Sequence, residues 1–255
     1  FMALCRKDAT EDFGEVYGFN LVYSGNYEGT IEVDQRNTTR IQMGISSFDF
    51  SWPLYSNDTF ATPEVVMVYS NTGLNGMSLQ YHSLYNDCLL KKHYHHPIVV
   101  NNWEATYFDF NEEKLEKLIS SAKGLGIEMF VLDDGWFKKR NNDESSLGDW
   151  VVDTNKLPNG LERISEICKK NNMKLGLWFE PEMISVDSDL YRAHPDYAIK
   201  IEGRDHIYSR CQLVLDLSRK DVCDYIINSL SNIIDNSNIS YIKWDFNRNI
   251  TETYN

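Results

Sequence analysis

The 255-residue sequence is poor in cysteine: Cys5, Cys88, Cys168, Cys211 and Cys223 are odd in number, scattered and form no CxxC pair. That fits a reducing compartment better than a disulfide framework, and the expected location is cytoplasmic, of bacterial type. No apolar run is long enough to span a bilayer, and the first residues lack a charged segment followed by an apolar one. Basic charge is scarce as well. Twenty-five Lys and Arg stand against 38 Asp and Glu, a net charge of -13, which argues against nucleic acid or an anionic membrane as partner. No glycine loop of the kind that cradles phosphate occurs, and no cofactor is expected.

What is present points to a globular chain. Hydrophobic residues make up 42% and aromatics 13%, enough for a sizeable core and for surfaces on which sugar rings can stack. The chain opens at Phe1 and stops just after an expected strand, so it reads as a piece of something longer. The sequons at Asn37 and Asn57 are the kind an asparagine-rich chain produces by chance.

Residues 1–95 read as β followed by a linking helix. Val16–Tyr23, Thr30–Val33, Arg40–Ile45 and Glu64–Tyr69 are rich in β-branched and aromatic residues broken by turn formers, the pattern of part of a β-sandwich. Gly73–Leu90 changes to a helical stripe of Leu74, Met77, Leu84, Tyr85 and Cys88. From residue 96 the rhythm becomes strand then helix. Strands are expected at Ile98–Val100, Ile127–Leu132, Met173–Trp178, Leu213–Leu215 and from Tyr241. Asn111 should cap a helix whose apolar face is Leu115, Leu118, Ile119, Ala122 and Leu125. A second helix is expected over Gly160–Lys170. A third should start with a capping-box-like Ser218 and Asp221 and turn Val222, Tyr225, Ile226, Leu230 and Ile233 inward. Repeated βα units with apolar strands imply a parallel sheet, doubly wound or part of a (β/α)8 barrel, and five strands are too few to close one.

Polar residues at the strand ends favour the barrel. Apolar runs finish in Asp133-Asp134-Gly135-Trp136, in Trp178-Phe179-Glu180-Pro181-Glu182 and in Lys243-Trp244-Asp245, with Arg210 just before the Leu213 strand. Ligand sites of parallel α/β folds collect at these carboxyl-terminal ends. On the last strand, Tyr241, Lys243, Asp245 and Asn247 share one face, and the ammonium of Lys243 would hold Asp245 ionised. Asp133 and Asp134 could accept hydrogen bonds from sugar hydroxyls while an indole stacks on the ring. They could also begin a turn, or hold a divalent metal, although nothing else in the sequence supports a metal. With no acid or cysteine beside them in the sequence, His93, His95 and His96 read as loop or interface residues rather than a zinc site. Trp178 could be a pocket wall or core packing. Glu180 and Glu182 could be catalytic or could cap the next helix, and Arg210 could bind hydroxyls.

Four of these motifs, in order and at compatible spacing, resemble the α-galactosidases of glycoside hydrolase family 36, clan D. They are Val131-Leu132-Asp133-Asp134-Gly135-Trp136-Phe137, Leu177-Trp178-Phe179-Glu180-Pro181-Glu182-Met183, His194-Pro195-Asp196 and Lys243-Trp244-Asp245-Phe246-Asn247-Arg248. Thr62-Pro63-Glu64 and Gly73-Leu74-Asn75-Gly76-Met77-Ser78 extend the likeness before the barrel.

The resemblance implies a β-sandwich part over 1–95 and the first part of a (β/α)8 barrel over 96–255, with about five of eight strands. It implies hydrolysis of terminal α-galactosides of the melibiose or raffinose type with retention. Asp245 would be the nucleophile. Asp133, Asp134, Trp103, Trp178, Arg210, Lys243 and Asn247 would bind the sugar. No metal is implied, and the full-length protein would be a homo-oligomer. The family's acid/base lies on a later strand and is absent from this chain; Asp216, Glu180 and Glu182 are internal carboxylates, none at the matching position. These 255 residues alone are therefore expected to be inactive. The competing readings are a non-catalytic galactoside-binding protein, a transglycosylase and an α-N-acetylgalactosaminidase.

Overall fold

A computed structural model describes residues 1–48, 50–90 and 95–250. The chain divides into two compact units, one ending at His95 and the other beginning at His96.

In the first unit, β1 (Met2–Cys5), β2 (Val16–Leu21) and β5 (Val65–Ser70) form an antiparallel sheet in the order β1-β2-β5, while β3 (Tyr27–Val33) and β4 (Thr39–Ile45) make a separate hairpin. The hairpin turn is set by Asp34, whose side chain accepts from the backbone of Arg36 and Thr38, with Asn37 at positive φ. Helix α1 (Gly73–Ser83) packs Met77 and Tyr81 with Val16 in a small core. The expected helical stripe holds only this far. At Leu84–Leu89 the helix widens to a π turn, Leu90 N–H bonding Tyr85 C=O, and Tyr85 and Cys88 rotate into exposure.

The second unit is built on a parallel sheet. Its strands are β6 (Val99–Asn101), β7 (Met129–Leu132), β8 (Lys174–Phe179) and β11 (Tyr241–Trp244), side by side in that order. Successive strands lie next to one another with no reversal, the arrangement of a barrel arc rather than of a doubly wound sheet. Between β6 and β7 run α2 (Trp103–Thr106) and α3 (Glu112–Ala122); α4 (Gly160–Lys170) precedes β8. Asn111 caps α3 as expected, its side chain accepting from Lys114 N–H, and Leu115, Ile119 and Ala122 are buried; Leu125 falls beyond the helix and is exposed.

Among the described residues the sheet has four strands, not the five expected. Leu213–Val214 (β10) pairs antiparallel with β9 (Met183–Ile184), outside the parallel sheet, and β8 pairs directly with β11. A three-residue buried apolar run carries no signal that separates a barrel strand from a loop hairpin. Between β9 and β10 lie α5 (Asp189–Ala193) and a 3-10 turn, Pro195–Tyr197, where His194 stacks on Tyr197 and Asp196 pairs with Arg219. The His-Pro-Asp motif is thus built into this excursion. Helix α6 (Lys220–Ser237) buries Val222, Ile226 and Leu230. Its capping box does not form: the N-cap is Arg219, with no side-chain cap, and Ser218 turns back to Asp216.

The core lies beneath the sheet's carboxyl end, where Trp136, Phe137, Trp150, Trp178 and Phe179 pack ring on ring. Gly176 allows this closeness: a Cβ there would stand 2.9 Å from Val131 on one neighbouring strand and 3.0 Å from Tyr241 on the other.

Candidate active site

The carboxyl ends of β7, β8 and β11 open into one cavity of about 230 Å³. All eight residues singled out in the sequence line it: Asp133 and Asp134, Trp103 and Trp178, Arg210, Lys243, Asp245 and Asn247.

Asp133 and Asp134 end β7 and are almost fully buried. The side chain of Asn101 and the ammonium of Lys243, at 2.6 Å, both donate to Asp133 Oδ2, while Oδ1 accepts from the Asp134 backbone at 2.9 Å. Asn102 Oδ1 accepts the Asp133 N–H. Asp134 is held by Arg140, whose Nε and Nη2 reach its two oxygens at 3.0 and 2.8 Å, and whose Nη1 donates to Ser145 C=O. Arg140 is 1% exposed, and a buried carboxylate without such a partner would be costly. Burial pushes the Asp134 carboxyl above its ordinary value, with the guanidinium fork working against it. Gly135 sits at φ +98, and a Cβ would stand 2.9 Å from the Phe108 ring.

The sequence pairs Lys243 with Asp245, and the structure corrects this. Lys243 bonds Asp133, reaching over β8. Asp245 is held instead by neutral donors: Trp178 Nε1 at 3.0 Å and Asn247 Nδ2 at 2.8 Å on Oδ2, and its neighbour Phe246 N–H at 3.0 Å on Oδ1. Burial works against ionisation, but the bonds from Trp178, Asn247 and Phe246, with the Lys243 charge added, hold the carboxyl below its ordinary value. It is half-buried and ionised at neutral pH, a competent nucleophile or acceptor.

Trp178 is both wall and core, 2% exposed yet lining the cavity. Trp136 is core only. It is fully buried, its Nε1 donating to Trp178 C=O, so the aromatic surfaces facing the cavity are Trp103, Phe108 and Trp178. Arg210 stands at the rim 4.0 Å from Asp143.

Of the three internal carboxylates only Glu180 lines the cavity. Glu182 accepts from Trp244 Nε1, and Asp216 accepts from Ser218 in the turn before α6. The sequence reading missed Arg140, Phe108, Asp143 and Gln212. Gln212 was within reach, two residues after Arg210 and just before the Leu213 run. Arg140 was not: Lys138-Lys139-Arg140 looks like any solvated basic run. Among the described residues no group of three His, Cys, Asp or Glu could hold a metal, and no helix is long and apolar enough to cross a membrane. His93 lies outside the described residues.

The family model for Melibiase matches residues 59–255, and that for the glycosyl hydrolase family 36 N-terminal domain matches residues 1–55. The chain belongs to glycoside hydrolase family 36. The α-galactosidase AgaA of Geobacillus stearothermophilus is 54% identical over 99% of this chain, and Mel36A of Lactobacillus acidophilus 50% over all of it. The chain spans 35% of the length of each. The crystal structure of AgaB from G. stearothermophilus covers 98% of the chain with a TM-score of 0.92 and 55% identity, again over 35% of that chain. A variant of AgaA solved with raffinose has the same TM-score of 0.92 at 53% identity.

Proposed function

We propose that the full-length protein is a retaining α-galactosidase that removes terminal α-galactosyl residues from raffinose-type oligosaccharides. One observation carries the reading: a carboxylate kept ionised by neutral donors shares a cavity with two buried carboxylates suited to gripping hydroxyls. Asp133 and Asp134, fixed by Lys243 and Arg140, would accept hydrogen bonds from adjacent galactose hydroxyls, and Trp103 or Trp178 would cover a ring face. Asp245 would attack the anomeric carbon, forming a glycosyl ester as the aglycone oxygen departs with a proton. Water would then cleave the ester.

The proton needs a second carboxyl group roughly 5 Å from the nucleophile. Asp133, Asp134 and Glu180 are each tied to fixed donors, and Asp143 faces Arg210 at the rim. We assign the acid, as the family resemblance implies, to a part of the protein outside these 255 residues. Variants of one relative, AgaA, solved with raffinose and with stachyose, support the substrate class.

The test is the full-length protein with 4-nitrophenyl α-galactoside, following product anomer by NMR, beside Asp245→Asn. Wild-type turnover with α-galactose as first product, and an Asn variant that binds galactose in calorimetry without turning over, are the expected results. First release of the β anomer would refute retention. Galactose binding without wild-type turnover would favour a non-catalytic binding protein.

A further inference from the structure

Glu180, at the end of β8, is wholly buried yet faces the cavity. Among the described residues no cation is bonded to it. Its Oε1 accepts the backbone N–H of Asn247 at 2.8 Å, and its Oε2 accepts the side-chain amide of Gln212 at 3.2 Å. Each partner belongs to a segment that presents another group to the site. Asn247 uses its side chain to donate to Asp245. Gln212 closes a tight turn from Ser209 in which Arg210 and Cys211 stand at φ 53 and 58. Two successive left-handed residues without a glycine form a turn that the surroundings must hold in shape.

One carboxyl group therefore joins three segments. We propose that Glu180 is a positioning residue of the site, fixing the Asp245 loop and the Arg210 turn against the end of β8 so that both address the same sugar. The proposal rests on the hydrolase reading above and deepens it. Both bonds at Glu180 are donated to it, so the ionised form is the one that ties the segments. Burial pushes its carboxyl up, the Asn247 backbone and side chain oppose this, the Asp245 charge adds to it, and the Arg140 charge works against it. The other charged groups nearby are engaged elsewhere: Lys243 with Asp133, Glu182 with Trp244, Arg210 towards Asp143, and Arg248 with the carbonyls of Gln212 and Ile207. As pH falls through the raised value, protonation would loosen the ties, giving an acid limb that belongs to Glu180.

Glu180→Gln separates geometry from charge. The new amide oxygen still accepts from Asn247, while its NH2 faces the Gln212 NH2 where the carboxylate had accepted, as the O–H of the protonated carboxyl would. In the full-length protein, Glu180→Ala should lose on the order of 100-fold in kcat on 4-nitrophenyl α-galactoside, the scale of a displaced catalytic group. Glu180→Gln, which keeps the Asn247 tie but resembles the protonated carboxyl at every pH, should fall between Ala and wild type in kcat near neutral pH and move the acid limb of kcat/KM to lower pH. A carboxyl needed only for folding would change the thermal midpoint and leave that limb in place. An unmoved limb, or a Gln variant as impaired as Ala, overturns the proposal. Galactose calorimetry reads the same Ala-against-Gln contrast without turnover. A wild-type protein that binds galactose but hydrolyses nothing thus sinks the hydrolase reading alone, and equal affinities in all three proteins sink the positioning role.

Discussion

The acidic ends of β7 and β11 are secured by opposite means. After β7, Asp133 and Asp134 are almost fully buried and each is held by a full positive charge, Lys243 or Arg140. After β11, Asp245 is half-buried and takes only neutral N–H donors. A cation bonded to a carboxylate fixes it and disperses its charge, which suits a group that must grip hydroxyls without reacting. Neutral donors orient a carboxylate and lower its pKa without cancelling its charge, which suits a group that must form a bond.

The largest effect should come from breaking the charged side of this contrast. Arg140→Ala leaves Asp134 buried and unpaired, at a cost of about 3–5 kcal/mol, read as a fall in thermal midpoint. Adding Asp134→Leu should restore much of that stability but not activity, since the hydroxyl acceptor is gone. Full activity in the double variant would show Asp134 to be structural only. Lys243→Met comes next. Asp133 keeps Asn101 and two backbone links, so the fold should survive, while KM should rise by on the order of tenfold, the worth of one charge-assisted bond. A larger loss in kcat than in KM would instead return Lys243 to Asp245, as the sequence alone suggested.

The neutral side is probed by Trp178→Phe, which removes the indole donor to Asp245 and little ring volume. With one bond fewer, Asp245 protonates more easily, so in a Glu180→Gln background, where Glu180 no longer sets the acid limb of kcat/KM, adding Trp178→Phe should move the limb to higher pH. That is opposite in sign to the shift expected for Glu180→Gln, and the two together would show which carboxyl sets the limb. An unchanged limb on adding Trp178→Phe would mean that Asn247 and Phe246 suffice.

The contrast also marks what the sequence could show. Strand ends rich in acids and indoles were legible because an apolar run that finishes in Asp or Glu violates burial rules unless a cavity receives it. Which cation serves which acid was not legible. Lys243 and Asp245 are neighbours on one strand face, yet the long lysine side chain reaches Asp133, 110 residues away in the chain, because β8 lies between the two strands. Arg140 was hidden for the same reason: its role comes from the loop between β7 and α4 folding back, and loops carry no periodicity. Leu213–Val214 misled because burial in a hairpin and burial in a sheet write the same three letters.

The smallest expected effect sets the baseline for all of these. Asn111 accepts Lys114 N–H at 2.9 Å and caps α3, the helix that leads to β7 but contributes no residue to the cavity lining. Asn111→Ala should cost about 1 kcal/mol of stability, the ordinary worth of a cap. If the site is set by ties among strand ends, KM and the acid limb should be unchanged although the midpoint falls. A shift in KM would mean that stability of the βα unit is transmitted to Asp133 and Asp134, and the separation drawn here between gripping and reacting carboxylates would have to be replaced by one that treats the whole arc as a single elastic unit.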